Sequence, residues 1–116
     1  MAKCHTFNNV VLNIGGHFSL ETHSFVCPIH GLYAFSVSFV AAKDLIDNLQ
    51  FRKNNIDIID VWAYDDDTNG SIDSGSVSIV LECFENDDVR FVAGWSGSIY
   101  PGGYRHVFSG FLLNKL

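Results

Sequence analysis

The clearest pattern along the chain is an alternation of large apolar and small residues that begins after Gly31. The large positions are Tyr33, Phe35, Val37 and Phe39, and the small ones are Ala34, Ser36 and Ser38. A period of two residues is typical of a β-strand, because successive side chains of a strand point to opposite faces. The segment is therefore predicted to be a strand with one face buried.

Similar apolar runs recur along the rest of the chain, separated by groups of Gly, Pro, Asn and Asp. The runs that predict strands are Ile56 to Tyr64, Ser76 to Phe84, Val89 to Trp95 and Tyr104 to Leu113. Only Ala41 to Asn48 has a helical pattern, and so short a helix is marginal. Many short strands with regular turn signals predict an all-β chain built as an antiparallel β-sandwich.

Length and composition indicate one compact domain. The chain has 116 residues, of which 47% are hydrophobic and 17% charged, which is enough to bury a core. We expect residues 1–6 to form an N-terminal segment and residues 7–116 to form the domain. Ten Phe, four Tyr and two Trp provide more ring area than so small a core needs, so we expect a partner subunit to cover some of it.

The net charge of −6, with only seven Lys and Arg, argues against nucleic-acid partners, which are bound through clustered basic residues. The chain also lacks an apolar run as long as a membrane span, so we expect no membrane insertion. Three cysteines cannot all pair within one chain. Cys4 is the best candidate for a bridge to another chain, whereas Cys27 and Cys83 lie in apolar runs and are expected to be buried thiols.

The alternating segment is part of a longer pattern that resembles the globular-head domain of the complement component 1q family. The positions that match the family's opening signature are Phe7, Asn13, Phe18, Phe25, Gly31, Tyr33 and Phe35, and those that match its end are Phe108, Gly110 and Phe111. Val37 departs from the signature, because an aromatic residue is expected there. The chain also has only residues 1–6 ahead of Phe7, where the family has a first strand.

The resemblance implies a jelly roll of about ten strands, similar to tumour necrosis factor, that assembles as a homotrimer. It also implies a secreted recognition module and no enzymatic activity. The match includes no collagen-like Gly-X-Y tract, as in the stalkless members of the family.

One loop suggests a cofactor, calcium. Residues 65–73 read Asp-Asp-Asp-Thr-Asn-Gly-Ser-Ile-Asp, like the first nine positions of an EF-hand loop, but the required glutamate is replaced by Ser76. The family resemblance offers another route, since several globular heads hold calcium near the trimer axis with aspartates of this loop. The candidate ligands are Asp65, Asp66, Asp67 and Asp73. The alternative is a solvated acidic turn.

A second loop, rich in glycine and aromatic residues, provides candidate ligand contacts at Trp95, Tyr100, Tyr104 and Arg105. Exposed rings can stack on sugars or anchor a protein partner. Arg52 and Lys53 form a further basic spot, which is either a solvated strand end or a site for an anionic ligand.

Three functions fit these features. The first is an innate-immune, lectin-like pattern-recognition module that binds microbial or glycan surfaces, with or without calcium. The second is a hormone-like or synaptic-organiser-like ligand for a host protein receptor. The third is a structural trimerisation head.

Overall fold

The computed structural model describes the backbone of residues 3–4, 13–40, 46–64, 74–93 and 107–116, and the side chains of residues 13–39, 50–61, 75–92 and 107–116. Within these ranges the chain forms nine strands and a short 3-10 turn at Ile14–Gly16. The strands are β1 (Lys3–Cys4), β2 (Phe18–Ser19), β3 (Ser24–Val26), β4 (Gly31–Val40), β5 (Ile46–Lys53), β6 (Ile56–Tyr64), β7 (Ser74–Cys83), β8 (Asp88–Ala93) and β9 (Val107–Lys115).

The strands are arranged in two antiparallel sheets. The larger sheet has the order β2-β3-β8-β5-β6, with β1 also paired to β8, and the smaller has the order β7-β4-β9. In the smaller sheet β4 pairs with β7 from Gly31 opposite Cys83 to Val40 opposite Ser74. The predicted antiparallel sandwich is confirmed.

The core lies between the two sheets, as the alternation along β4 predicts. Tyr33 and Phe39 are fully buried, and Phe35 and Val37 are each 2% exposed. The larger sheet contributes Phe51 and other buried residues from β3, β5 and β8 to the same cluster. Each sheet therefore has an apolar inner face, as expected for sheets that pack face to face.

Phenylalanine rings fill the centre of this core and connect the sheets. Phe35 lies 5.4 Å from Phe25 and 5.7 Å from Phe51, measured between ring centroids. Phe91 lies 4.7 Å from Phe51 and 5.2 Å from Phe108 in edge-to-face arrangements. Such pairs contribute about 0.5–1.5 kcal/mol each beyond the area they bury.

One expectation drawn from the sequence is contradicted, and the N-terminal segment adds a short strand. The short helix expected at Ala41 to Asn48 is wrong for residues 46–48, which belong to β5 and pair with β6, for example Asn48 with Trp62; residues 41–45 lie outside the described residues. Strand pairing has therefore overridden a weak helical pattern. Lys3–Cys4, in the segment expected to precede the domain, pairs with Ala93 and Val92 of the larger sheet.

Within the described residues, no helix is long and apolar enough to cross a membrane.

Candidate functional site

The outer face of the smaller sheet carries an exposed apolar row. Ala34 on β4 lies opposite Val80 on β7 and opposite Phe111 on β9, so the three side chains cross the sheet in register. Val80 is 55% exposed and Phe111 is 57% exposed. With the neighbouring serines they line a groove on this face. We call this set of three residues the apolar row.

A parallel row of serines lies next to the apolar row. Ser36 is opposite Ser78 on β7 and Ser109 on β9, and the hydroxyl oxygens of Ser36 and Ser109 are 2.6 Å apart. The two rows together carry no charge and consist largely of small side chains. Such a surface suits contact with another protein better than binding of an ion.

The second candidate region is the end of the sandwich where β4 ends. Val40 at the end of β4 pairs with Ser74, and Ile46 at the start of β5 pairs with Tyr64. Segments 41–45, 65–73 and 94–106 all connect strand ends on this side of the two sheets. We call this region the loop end.

The predicted metal and ligand residues lie outside the described residues, in segments attached to the loop end. They are Asp65, Asp66, Asp67 and Asp73 in the acidic segment, and Trp95, Tyr100, Tyr104 and Arg105 in the aromatic one. Among the residues that the structure does describe, no group of three or more His, Cys, Asp or Glu could hold a metal ion. Calcium binding therefore stays a prediction.

The signature residues occupy different places in the fold. Phe25, Tyr33 and Phe35 are buried in the core, and Phe18 and Phe108 pack against it. The sequence signature groups Phe111 with the core residues, but in the structure it lies on the outer face of the sheet. The alternation of side chains along β9 turns it away from the core. Phe7 lies outside the described residues.

The polar and small signature residues have local roles. The side-chain Nδ2 of Asn13 donates to the carbonyl oxygen of Phe18 at 3.0 Å, and the backbone amide of Phe18 donates to the side-chain Oδ1 of Asn13 at 3.2 Å. These two bonds fix the entry to β2. Gly31 has no space for a side chain, because a Cβ atom there would lie 2.7 Å from the carbonyl oxygen of Asn114 on β9. Gly110 is similarly close to the core and faces Phe35.

The end of the sandwich opposite the loop end is closed by a polar network that the sequence did not reveal. The Asp87 carboxylate accepts hydrogen bonds from the backbone amide of Phe84 at 2.8 Å and from the side-chain Nδ2 of Asn54 at 3.0 Å. Burial alone would raise the pKa of Asp87, but these two bonds and the nearby Lys53 ammonium outweigh it and lower the pKa. The network links the β5–β6 hairpin to the turn between β7 and β8. Asn54, Asn55 and Asn86, in the two turns, all have positive φ, a conformation for which asparagine is enriched.

The basic spot predicted at Arg52 and Lys53 is already paired within the chain. The Arg52 guanidinium lies 2.6 Å from the Asp57 carboxylate, and the Lys53 ammonium lies 3.9 Å from that of Asp87. An anionic ligand would have to displace these carboxylates. The structure therefore favours the interpretation of Arg52 and Lys53 as partners of surface carboxylates.

The two antiparallel sheets, packed face to face, define the fold as a β-sandwich. The C1q domain family model matches residues 1–113. The chain belongs to the C1q domain family, which confirms the resemblance seen in the sequence.

Several curated relatives are similar over most of the chain. A mouse complement C1q subcomponent is 32% identical over 108 residues, which cover 92% of this chain and 42% of that protein. Mouse complement C1q tumor necrosis factor-related protein 3 is 29% identical over 109 residues, covering 92% of this chain and 43% of the relative. Mouse collagen alpha-1(X) chain is 31% identical over 110 residues, covering 92% of this chain and 16% of the collagen. The chain thus spans less than half the length of each of these relatives.

A solved structure with the same fold is the globular domain of zebrafish complement 1qA protein. The two structures superpose with a TM-score of 0.78 at 19% sequence identity, over 98% of this chain and 86% of the other. At this identity the comparison establishes the jelly-roll fold and no more.

Proposed function

We propose that this C1q domain is a secreted, non-enzymatic recognition module that assembles as a homotrimer and binds its target through the loop end. The exposed apolar row carries the proposal of self-assembly. Val80 and Phe111 are more than half exposed on a sheet whose other face packs against the core. Large apolar side chains placed together on a surface commonly mark an interface.

The chemistry of the outer face supports a second copy of this chain as its partner. The two rows contain no charged side chain, and subunit interfaces are depleted of charge at their centre. If three copies pack these faces around a common axis, their three loop ends gather on one side of the assembly. A ligand could then contact several loops at once, which increases apparent affinity.

For the ligand we propose microbial or glycan surfaces. The support comes from the sequence of the loop segments, in which Trp95, Tyr100 and Tyr104 accompany Arg105. Aromatic rings offer flat apolar faces with polar edges. The aspartates of segment 65–73 add the oxygen ligands that calcium prefers, so we propose that recognition is calcium-dependent.

The relatives favour a second candidate function. Several are C1q tumor necrosis factor-related proteins, so a hormone-like or synaptic-organiser-like ligand for a host receptor is the alternative. A purely structural trimerisation head would use the apolar row and leave the loop end without a ligand.

Two measurements test the proposal. Light scattering at micromolar concentration should give a mass three times the 12.9 kDa of one chain; a monomer mass would reject the trimer. A glycan array should give binding that free sugar and EDTA both abolish. If the protein binds no glycan but binds a cell-surface protein saturably, the receptor-ligand function is favoured. If it binds neither glycans nor a cell-surface protein, the structural head is favoured.

A further inference from the structure

Two cysteines from different sheets meet in the core, near the end of the sandwich opposite the loop end. Cys27 follows β3 of the larger sheet, and Cys83 is the last residue of β7 in the smaller one. Both side chains are fully buried. They are far apart in sequence, and only the packing of the two sheets brings them together.

The backbone holds Cys27 against the turn that follows Cys83. The Cys27 amide donates to the Asp87 carbonyl oxygen at 2.9 Å, and the Asn86 amide donates to the Cys27 carbonyl oxygen at 2.8 Å. Cys27 is thus fixed on both sides of its Cα atom to the segment that joins β7 to β8. Cys83 is fixed in turn by its pairing with Gly31 on β4.

The two side chains belong to the same buried cluster, and each thiol affects the pKa of the other. Burial raises the pKa of both thiols, and the nearby Lys53 ammonium acts in the opposite direction on each of them. Both cysteines are reduced in the structure.

We propose that Cys27 and Cys83 are a site of disulfide formation and that the bond links the two sheets when the chain folds in the presence of a small-molecule disulfide. A disulfide requires two neighbouring residues with Cα atoms no more than about 7 Å apart. The backbone hydrogen bonds between Cys27 and the turn that follows Cys83 make the two residues neighbours, and both side chains are inside the core. We therefore expect the bond to form without a change in strand pairing. The site goes beyond the proposed recognition function, since it involves neither the apolar row nor the loop end.

The chemistry is a thiol–disulfide exchange with oxidised glutathione as the oxidant. The Cys83 thiolate attacks one sulfur of oxidised glutathione, forms a mixed disulfide and releases one glutathione thiolate. The Cys27 thiolate then attacks the Cys83 sulfur, forms the Cys27–Cys83 bond and releases the second glutathione thiolate. Two protein thiols are oxidised, one glutathione disulfide is reduced, and the two protons pass to the released thiolates.

Burial determines when this exchange occurs. Glutathione cannot reach sulfurs that have no exposed surface, and the raised pKa keeps them as thiols, which are poor nucleophiles. We therefore expect the bond to form while the sheets assemble, and to resist reduction afterwards. A folded chain that is already reduced should oxidise much more slowly than a refolding one.

The test uses the full chain, unfolded under reducing conditions and refolded in a glutathione redox buffer. Remaining thiols are alkylated in denaturant, and a non-reducing digest is analysed by mass spectrometry. We expect one linked peptide pair containing Cys27 and Cys83, lighter by two hydrogen atoms than its reduced components, with Cys4 alkylated. Alkylation of both Cys27 and Cys83, or linkage of either to Cys4 or to glutathione, would overturn the proposal.

A thermal melt tests whether the bond stabilises the fold. The oxidised chain should melt on the order of 10 °C above the reduced chain, because the bond closes a long loop in the unfolded state. Cys4→Ser should keep this difference, and the double variant Cys27→Ala with Cys83→Ala should lose it. If the double variant fails to fold, the mass analysis of the unsubstituted chain still decides the matter. The outcome of this test does not depend on whether the chain forms a trimer or binds a ligand. A failure of the disulfide proposal can therefore be distinguished from a failure of the proposed function.

Discussion

Gly110 on β9 lies directly against the ring of Phe35 on β4. A Cβ atom at residue 110 would be 2.7 Å from Cδ1 of that ring, closer than van der Waals contact allows. The phenylalanine is 2% exposed and touches rings from both sheets, so it has little freedom to move. The absence of a side chain at residue 110 is therefore a condition for the packing of the aromatic core.

We expect Gly110→Ala to lower the free energy of unfolding by about 1–3 kcal/mol, the usual cost of overpacking a core. Urea denaturation at fixed protein concentration measures it. Leu20→Ala, at a position 51% exposed, is the control and should change stability by less than about 0.5 kcal/mol. Equal stability of the Gly110→Ala variant and the unsubstituted chain would mean that the Phe35 ring moves aside freely.

Val37 marks the one departure from the family's opening signature, and the structure explains it. It is 2% exposed and its strand neighbours in register are Val77 and Phe108. Since the surrounding space is already filled, restoring the aromatic residue with Val37→Phe should destabilise the fold by about 1–3 kcal/mol. Val37→Ile, which adds one methylene, should cost less. A Val37→Phe variant that melts at or above the temperature of the unsubstituted chain would contradict this account.

The lowered pKa of Asp87 makes part of the stability depend on pH. A carboxyl group whose pKa is lower in the folded state stabilises the fold above its unfolded pKa, and the contribution disappears as pH falls through the folded pKa. Asp87→Asn should cost about 1–3 kcal/mol at pH 7. The difference from the unsubstituted chain should shrink as pH falls below about 4.

Urea denaturation measured from about pH 2 to about pH 7 tests this effect, because carboxyl groups titrate within this range. Asp60→Asn, on an exposed position of β6, serves as the control. A constant difference between Asp87→Asn and the unsubstituted chain across the range would show that the charge of Asp87 is not what stabilises the turn.

The apolar row gives a direct prediction for assembly. Phe111→Asp places a charge at the centre of the proposed interface, where it would be desolvated without a partner. The variant should shift from trimer to monomer in sedimentation velocity while its circular dichroism remains that of a β-sandwich. Leu20→Asp is the matched control, because its site is comparably exposed but belongs to the turn between β2 and β3. A trimeric Phe111→Asp variant would exclude this face as the interface.

Calcium dependence can be measured on the same proteins. Three acidic segments near one axis would repel each other by about 1 kcal/mol per close pair in water, and by about 4 kcal/mol at an effective dielectric of about 20. Calcium should therefore raise the melting temperature and EDTA should lower it. Replacing Asp65 and Asp73 by Asn should remove the response, whereas Asp60→Asn should keep it. An unchanged melt with excess calcium or EDTA would refute calcium binding.

The fold could be predicted from the sequence because its signal is local. The alternation from Tyr33 to Phe39 places each side chain on a face of β4, since the period of a strand is fixed by backbone geometry. The same rule applied to β9 places Phe108 and Gly110 inward and Phe111 outward. The signature matched these three residues as a group and so did not separate the two faces.

What the sequence could not supply depends on contacts between distant strands. Nothing local relates Cys27 to Cys83, or Asn54 to Asp87, and each pair meets only because distant strands come together in the folded domain. The ligand residues of the loop end are a different case. Their residue types suggest sugar or calcium binding. The conformation of a loop, however, follows neither from the periodicity of the sequence nor from secondary-structure propensity.

The place of β4 between β7 and β9 also determines when the domain can fold during synthesis. β4 is made early, yet Gly31 pairs with Lys115 near the end of the sequence. The inner face of β4 therefore stays partly uncovered on the ribosome until β9 has emerged. In a chain that stalls before Val107, β9 is missing. Phe35 then lacks its contacts with Phe108 and Gly110. We infer that this domain folds only after β9 has been synthesised, and that products truncated before β9 are prone to aggregation.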